Sequence, residues 1–173
     1  MVFILEGEPD AQSADDQVAR LFLAARDDVY RYLLTLGLHP PQAQEMAQEV
    51  FLRLHAALKK GDHIENHRAW IFRVAHNLGL KARMRHKEEP PFDPELERRL
   101  ADSSANPEQS LLEGERIERL RGAIVGLSEQ QRRCLFLRME GLRYAEIGAV
   151  LGIGTPTVGE FLRRAIARLK QVL

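Results

Sequence analysis

Apolar residues along this chain recur every three to four positions, the spacing that places them on one face of an α-helix. No stretch alternates apolar and polar residues as a half-buried strand does. Three long amphipathic segments fill the first half of the chain: one from a cap at Ser13 and Asp16 to Gly37, one from Pro40 and Pro41 to Gly61, and one from about His67 to Arg85. The pattern predicts an all-α protein.

The helical period breaks over residues 86–107, which hold four prolines and an excess of acidic residues. Such a composition is typical of a flexible linker, here with at most a short helix near Glu95 to Leu100. Asn106 and Pro107 are expected to start the next helix. The chain is therefore predicted to form two small helical domains, residues 1–87 and 108–173, joined by a flexible acidic linker over residues 88–107.

The last part of the chain is predicted to form a helix, a short helix, a tight turn and a longer basic helix. Ser128 opens the first of these with a capping box, and Gly141 ends it. Residues 144–151 make about two helical turns, and Thr155, which precedes a proline, is expected to cap the last helix. This order is the helix-turn-helix plan, in which the second helix enters the major groove of DNA.

The last helix has one apolar stripe, and its remaining surface is basic. An ordinary helical hairpin with a solvated basic face would show the same pattern, so the motif alone does not assign a function. The residues of this helix that are candidates for contact with the DNA groove or its phosphates are Arg163, Arg164, Arg168 and Lys170.

Charge is distributed unevenly, although the whole chain has a formal net charge of zero. Residues 61–87 carry 6 lysines and arginines against 2 acidic residues, and residues 127–173 carry 8 against 4. Residues 88–126 carry 5 against 10. Basic segments suit nucleic acid and acidic segments suit basic protein grooves, so segmented partners are expected.

Composition bounds the class of protein further. The chain is 45% hydrophobic and 29% charged over 173 residues, which is typical of a globular protein. Its single cysteine, Cys134, cannot form an intrachain disulfide and is expected in the core, which favours a reducing compartment. The start lacks the features of a signal peptide, and no apolar run is long enough to span a membrane. We therefore expect a cytoplasmic protein without membrane insertion.

Two segments of the first half, residues 42–55 and 68–80, resemble the second conserved region of the extracytoplasmic-function (ECF) sigma factors of bacterial RNA polymerase. Residues 127–170 resemble the fourth region of the same family. The resemblance covers about Val18 to Arg85 and Pro107 to Leu173. It implies an alternative sigma factor that binds RNA polymerase core, directs it to specific promoters and assists DNA melting. It also implies an anti-sigma factor as a partner and no cofactor.

The resemblance assigns roles to three sets of residues, each written here as an expectation. The set expected to bind core polymerase is Gln48, Glu49, Leu52 and Arg53; a solvated outer face would explain each of them equally well. The set expected at the melted promoter element is Arg68, Trp70, Arg73, Asn77, Lys81, Arg83 and Arg85. The set expected at the upstream promoter element is Thr155, Thr157, Glu160, Arg163, Arg164 and Arg168.

Within the melting set, Trp70 is expected to pack its ring in the core and only to shape the DNA surface, because a lone tryptophan at helical spacing is usually a core residue. Residues 62–67 would form the wall of a pocket for a flipped base. Lys81, Arg83 and Arg85 keep the basic character that the family has after Asn77, but with a different local spacing.

The chain departs most from the family at the start of the recognition helix, where lysine, serine and arginine are common and this chain has Gly159, Glu160 and Phe161. The change removes two cations and adds a carboxylate beside the DNA. Two interpretations stay open: Glu160 accepts a hydrogen bond from a cytosine N4 in the groove, or the helix binds weakly and relies on other contacts.

Other classes of function have less support. A polymerase-independent helix-turn-helix regulator that binds duplex DNA as a dimer is the alternative, but no dimerisation heptads are present and the first domain would have no role. The chain has no phosphate-binding glycine loop or nucleophile constellation, so an enzyme is not expected. His63 and His67 have helical spacing, but no third ligand accompanies them, and no metal site is expected.

Overall fold

The computed structural model describes residues 10–93 and 111–173, and these form seven α-helices. The helices are α1 (Asp10–Thr35), α2 (Pro40–Lys59), α3 (His67–Arg85), α4 (Leu111–Val125), α5 (Glu129–Met139), α6 (Tyr144–Leu151) and α7 (Thr155–Lys170). The chain divides into two compact units, one ending at Phe92 and the other beginning at Asp93. Every regular element in the described ranges is helical, which confirms the all-α prediction.

The first unit is a bundle in which α1, α2 and α3 all pack against one another. Its core contains fully buried side chains from each helix, among them Leu33, Leu54 and Phe72. Tyr32 is also fully buried, and its ring meets that of Phe72 edge to face with centroids 5.6 Å apart. The Tyr32 hydroxyl lies 2.9 Å from Nδ1 of the buried His76, so the core of this unit includes a hydrogen bond between α1 and α3.

Local signals in the sequence set the bounds of α2 and α3. The α2 helix begins at Pro40, where a capping box joins His39 and Gln42. The Asn66 side chain accepts a hydrogen bond from the amide of Ala69 and so caps α3. The predicted start of α1 is wrong, because the chain is already helical at Asp10 and Ser13 therefore lies inside the helix.

The chain after α3 turns back onto the first unit. The amide of Phe92 donates to the carbonyl of Gly37 at 3.0 Å, and Nε2 of His39 lies 3.0 Å from the carbonyl oxygen of Pro90. Gly37 has a φ of 91°, and a Cβ there would lie 2.9 Å from that of Pro91. Residues 90–92 of the predicted linker thus lie against the turn between α1 and α2. Residues 94–107 of that linker, with the predicted helix near Glu95 to Leu100 and the predicted start at Asn106 and Pro107, fall outside the described residues.

In the second unit, α4, α5 and α6 all pack on α7. The buried side chains include Leu137, Ile147 and Leu162, together with Cys134. Burial raises the pKa of the Cys134 thiol to about 11, as expected for a thiol that packs as an apolar side chain. The predicted place of this cysteine in the core is confirmed.

The α6 and α7 helices meet at a tight turn and complete the helix-turn-helix. Gly152 ends α6 in the left-handed conformation with a φ of 68°. A Cβ on Gly148 would lie 2.6 Å from the carbonyl oxygen of Ile153, so the turn passes too close to α6 for a larger residue. The cap of α7 is Gly154, one residue before the predicted Thr155, which is instead the first helical residue. That prediction is wrong by one position.

Two further observations concern the described residues alone. None of their helices is both long enough and apolar enough to cross a membrane. No group of three or more His, Cys, Asp and Glu side chains among them could hold a metal ion. The Nε2 atom of His67 lies 3.1 Å from the Gln17 side-chain nitrogen, which joins α3 to α1.

Candidate nucleic-acid interface

The α7 helix presents one apolar and one polar face, and the apolar face is buried. Val158, Leu162 and Ala165 are in the core. The predicted upstream-element residues lie on the remaining surface, where Thr155, Thr157, Arg163, Arg164 and Arg168 are exposed and Glu160 is half-buried. Positions 160, 163, 164 and 168 are three or four residues apart and so form one stripe along the helix. The structure brings this predicted set together on one element.

Glu160 is bound to two arginines of its own helix. Arg163 donates from Nε and Nη2 to the two carboxylate oxygens at 2.9 and 2.8 Å, a bidentate pair. Arg164 donates from Nε to Oε1 at 2.6 Å. The hydrogen bonds from Arg163 and then Arg164 lower the pKa of Glu160 to about 2, so the carboxylate stays ionised at neutral pH. The spacing of three and four residues between Glu160 and the two arginines is the sequence signal for this network, although Glu160 was expected to contact DNA.

Gly159 lies beside an aromatic ring of α6. A Cβ at this position would lie 3.7 Å from Cε2 of the Tyr144 ring, so a longer side chain would have to pass beside the ring. The ring also lies under the guanidinium of Arg138, with its centroid 5.6 Å from Cζ. Arg138 in turn donates to the carbonyl of Leu142 at 3.0 Å. The Arg138–Tyr144 stack thus lies next to position 159 of α7.

A basic groove of about 620 Å³ runs between α4 and α7. Its lining includes Gly122 and Ala167 together with four arginines: Arg119, Arg163, Arg164 and Arg168. Arg168 lies over Gly126, where a Cβ would meet its guanidinium. Arg119 was not among the sequence candidates, because nothing in the periodicity of α4 shows that it faces α7.

The melting candidates on α3 divide into two groups. Arg73, Asn77, Lys81 and Arg85 are exposed and follow one another at intervals of four residues, so they share one face. Arg83 is half-buried, and its Nη1 lies 3.4 Å from the carbonyl oxygen of Glu89. Trp70 is half-buried and not part of the fully buried core, so its expected core packing is only partial.

Arg68, the remaining melting candidate, is engaged within the first unit. Its Nη2 donates to Oδ2 of Asp28 at 2.8 Å, and its guanidinium lies 5.5 Å from the centroid of the Phe72 ring. Asp28 also pairs with Arg31. Burial raises the pKa of Asp28, but the hydrogen bonds from Arg68 and Arg31 outweigh burial and hold it below the usual value. Arg68 therefore ties α3 to α1.

The four candidates for core polymerase lie on one side of α2. Gln48, Leu52 and Arg53 are exposed, and Glu49 is half-buried. Arg53 donates from Nε to Oε1 of Glu49 at 2.8 Å. Leu52 is 64% exposed between these polar residues. The α2 ridge, defined here as these four residues, thus combines an apolar contact point with a paired acid and base.

Comparison with known proteins matches both units to parts of one family. Residues 21–89 match sigma-70 region 2, and residues 117–169 match sigma-70 region 4. The chain is 26% identical over 156 residues to the ECF RNA polymerase sigma factor SigM of Bacillus subtilis, covering 90% of this chain and 92% of SigM. It is 29% identical over 179 residues to the ECF RNA polymerase sigma factor SigE of Mycolicibacterium smegmatis, covering 99% of this chain and 66% of SigE.

Solved structures show the same fold. The sigma factor RpoE of Bartonella quintana, crystallised with the anti-sigma factor NepR, has a TM-score of 0.58 at 21% identity, over 89% of this chain and 94% of that one. CnrH in complex with the cytosolic domain of CnrY has a TM-score of 0.56 at 17% identity, over 95% and 97%. The all-helical fold with a C-terminal helix-turn-helix is shared with both.

Proposed function

The chain belongs to the ECF group of sigma-70 factors, and we propose how its two units divide the work of an alternative sigma factor. Such a factor is a transcription initiation factor, which binds RNA polymerase core, directs it to specific promoters and assists melting of the DNA. The observation that carries the division is the separation of two exposed basic helix faces, one on α3 and one on α7, into different units. No catalytic role is proposed for either unit.

The second unit recognises the upstream promoter element as a duplex. In a helix-turn-helix the second helix lies in the major groove and its first turns reach the base edges. Here that helix is α7, with Thr155 and Thr157 in the first turn and Arg163, Arg164 and Arg168 further along. Because the arginines are exposed while the apolar stripe is buried, they lie on the surface that would face phosphates and bases, Arg163 and Arg164 as partners of Glu160.

The first unit holds the strand that becomes single. Proteins bind single-stranded DNA with a basic track and with side chains that hold unstacked bases. Arg73, Asn77 and Lys81 form such a track on α3. Arg68 acts indirectly, through its ion pair with Asp28 on α1, and Trp70 shapes the surface beside the track.

The α2 ridge binds core polymerase. An exposed leucine among polar residues suits a helix-on-helix contact, in which the apolar side chain is the anchor and the polar neighbours form the rim. The protein would act in the cytoplasm, where the polymerase works. We also propose that an anti-sigma factor regulates it, which the two structural neighbours solved with partners support.

Co-elution with core polymerase in gel filtration tests the role of the ridge. Leu52→Asp should abolish co-elution without a change in helical content by circular dichroism. Leu23→Asp is the matched control, since Leu23 is 73% exposed on α1 of the same unit and should tolerate the change. Co-elution of Leu52→Asp at the wild-type level would refute the ridge assignment. If the wild-type protein itself fails to bind core but binds duplex DNA, the polymerase-independent regulator replaces this proposal.

A further inference from the structure

Of the basic stripe on α7, two arginines are already bound to a carboxylate of the same helix. Glu160 accepts three hydrogen bonds, two from Arg163 and one from Arg164, at distances between 2.6 and 2.9 Å. Arg168, one turn further on, is not paired with a carboxylate among the described residues. The stripe is thus divided into a part in which one carboxylate offsets the charge of two arginines only partly, and a part at Arg168 with no such carboxylate among the described residues.

Glu160 occupies part of the guanidinium surface that a DNA phosphate would use. Its carboxylate takes the Nε–Nη2 edge of Arg163 and the Nε donor of Arg164. A phosphate at the open Nη1–Nη2 ends would lie close to this carboxylate and would meet guanidinium charges that it already offsets. The Oε1 atom of Glu160 is shared between both arginines, so releasing either one disturbs the other. A phosphate at this part of α7 therefore either displaces Glu160 or binds beside its negative charge, and both are less favourable than contact with unpaired arginines.

We propose that Glu160 is a built-in competitor for DNA phosphate, which masks Arg163 and Arg164 and thereby limits the affinity of α7 for duplex DNA of any sequence. The inference rests on the proposed placement of α7 in the DNA groove and adds to it a residue that limits its affinity. Binding specificity depends on the gap between specific and non-specific affinity, and masked arginines reduce the sequence-independent part. The masking is constant near neutral pH, because Glu160 stays ionised there.

The test compares the wild-type chain with Glu160→Gln, which keeps the shape of the side chain and removes its charge. The probe is a 30-base-pair duplex of mixed sequence, with binding followed by fluorescence anisotropy over a range of salt. Each recovered phosphate contact should steepen the slope of log affinity against log salt by about 0.9. One such contact makes binding about tenfold tighter at 50 mM salt, and the advantage shrinks about 3.5-fold by 200 mM.

A matched control separates masking from net charge. Glu129→Gln on α5 removes one carboxylate from the same unit, and Glu129 is also paired with an arginine four residues away, Arg133, at 3.3 Å. This control should leave the salt slope near that of the wild type. If both variants tighten binding equally, overall charge explains the effect and the proposal is wrong.

A double-mutant cycle tests the coupling directly. Arg163→Gln with Arg164→Gln should weaken duplex binding less in the wild-type background than in the Glu160→Gln background, because in the wild type Glu160 already competes with phosphate for these arginines. Equal losses in the two backgrounds would overturn the proposal. So would weaker binding of Glu160→Gln to every duplex, which would show that Glu160 prepares the arginines for DNA instead of masking them.

The remaining outcomes are also decisive. A loss confined to duplexes that differ at one cytosine would show base reading by Glu160, and an unchanged affinity would show that the arginines do not use these edges on DNA. Elution from heparin-agarose gives a second readout, and Glu160→Gln should elute at higher salt. Co-elution with core polymerase should be unchanged in all variants. If it is intact while the cycle fails, only this inference is lost, and the proposed function stands.

Discussion

Gly148 allows the turn of the helix-turn-helix to form, so Gly148→Ala should perturb the second unit. The added Cβ would lie 2.6 Å from the carbonyl oxygen of Ile153, whereas ordinary contacts begin at 3.4 Å. The turn would have to move by about 0.8 Å, and the atom in the way is backbone, which cannot rotate aside as a side chain can. The hydrogen bond from the Ile153 amide to the Gly148 carbonyl, 3.1 Å long, would be strained by the same movement.

The magnitude follows from two opposing effects. Overpacking costs about 1–3 kcal/mol. Alanine also has a higher helix propensity than glycine, which stabilises the helix by about 1 kcal/mol. Because the clash is with backbone, the overpacking cost should lie in the upper part of that range, at about 2–3 kcal/mol. The net loss in the free energy of unfolding of the second unit should then be about 1–2 kcal/mol, and α7 should be displaced relative to α6. Duplex binding should weaken accordingly, because the recognition helix then leaves the position that the turn gives it.

Hydrogen exchange of amides in α6 and α7, measured by mass spectrometry on the full-length chain at several urea concentrations, reports the stability of this unit alone. Gly114→Ala is the matched control, because no atom of the described residues lies within 4 Å of a Cβ built at this glycine of α4. That variant should be neutral or slightly more stable. If the amides of α6 and α7 are protected from exchange as strongly in Gly148→Ala as in Gly114→Ala, this prediction is wrong.

Two further predictions concern the first unit. Replacing Arg73, Asn77 and Lys81 together by alanine should leave closed-complex affinity in filter binding largely intact and lower the permanganate reactivity of unpaired thymines. The reason is that unstacked bases lose contacts worth about 1–3 kcal/mol each where stacking is involved. Promoter opening at the wild-type level would show that this face of α3 does not assist melting. Asp28→Asn should destabilise the unit by about 1 kcal/mol at pH 7 in urea unfolding, through loss of its charged hydrogen bonds. Asp28 has a lowered pKa in the folded state. Its contribution to the free energy of unfolding is therefore present above its usual pKa of about 4 and is lost as the pH falls below that value. A difference in stability between the wild type and Asp28→Asn that stays constant down to pH 2 would contradict this assignment.

Much of the fold could be read from local sequence signals, because they act within a few residues. The predicted bounds of α3 and α6 agree with the structure, since Asn66 caps α3 and Gly152 ends α6 wherever the helices pack. Where the local signal was ambiguous, the prediction failed: Ser13 is a good capping residue, but the helix extends past it to Asp10. Thr155 missed the cap of α7 by one residue because Gly154 can cap as well.

The candidate site was accessible from the sequence only as a set of residues. Helical spacing predicted that Arg73, Asn77 and Lys81 share one face, and their exposure in the structure agrees with it. The roles of these residues, of the α2 ridge and of the arginines on α7 stay predictions. Glu160 is a different case, because its partners are three and four residues away and a local argument would have found them. From the sequence, Glu160 was assigned only a partner outside the protein, namely DNA.

The sequence by itself determined the helical class and the order of the helices, because periodicity, caps and glycines are properties of neighbouring residues. The family was indicated by the resemblance of two sets of motifs. Only the tertiary structure decided which charges remain exposed. Arg68 looked like a DNA ligand in sequence, yet it pairs with Asp28, forty positions away on another helix. Arg119 gave no signal until packing placed it in one groove with Arg168. Such partners depend on how helices pack, and helix packing depends on the fit of whole side-chain surfaces that no local pattern contains.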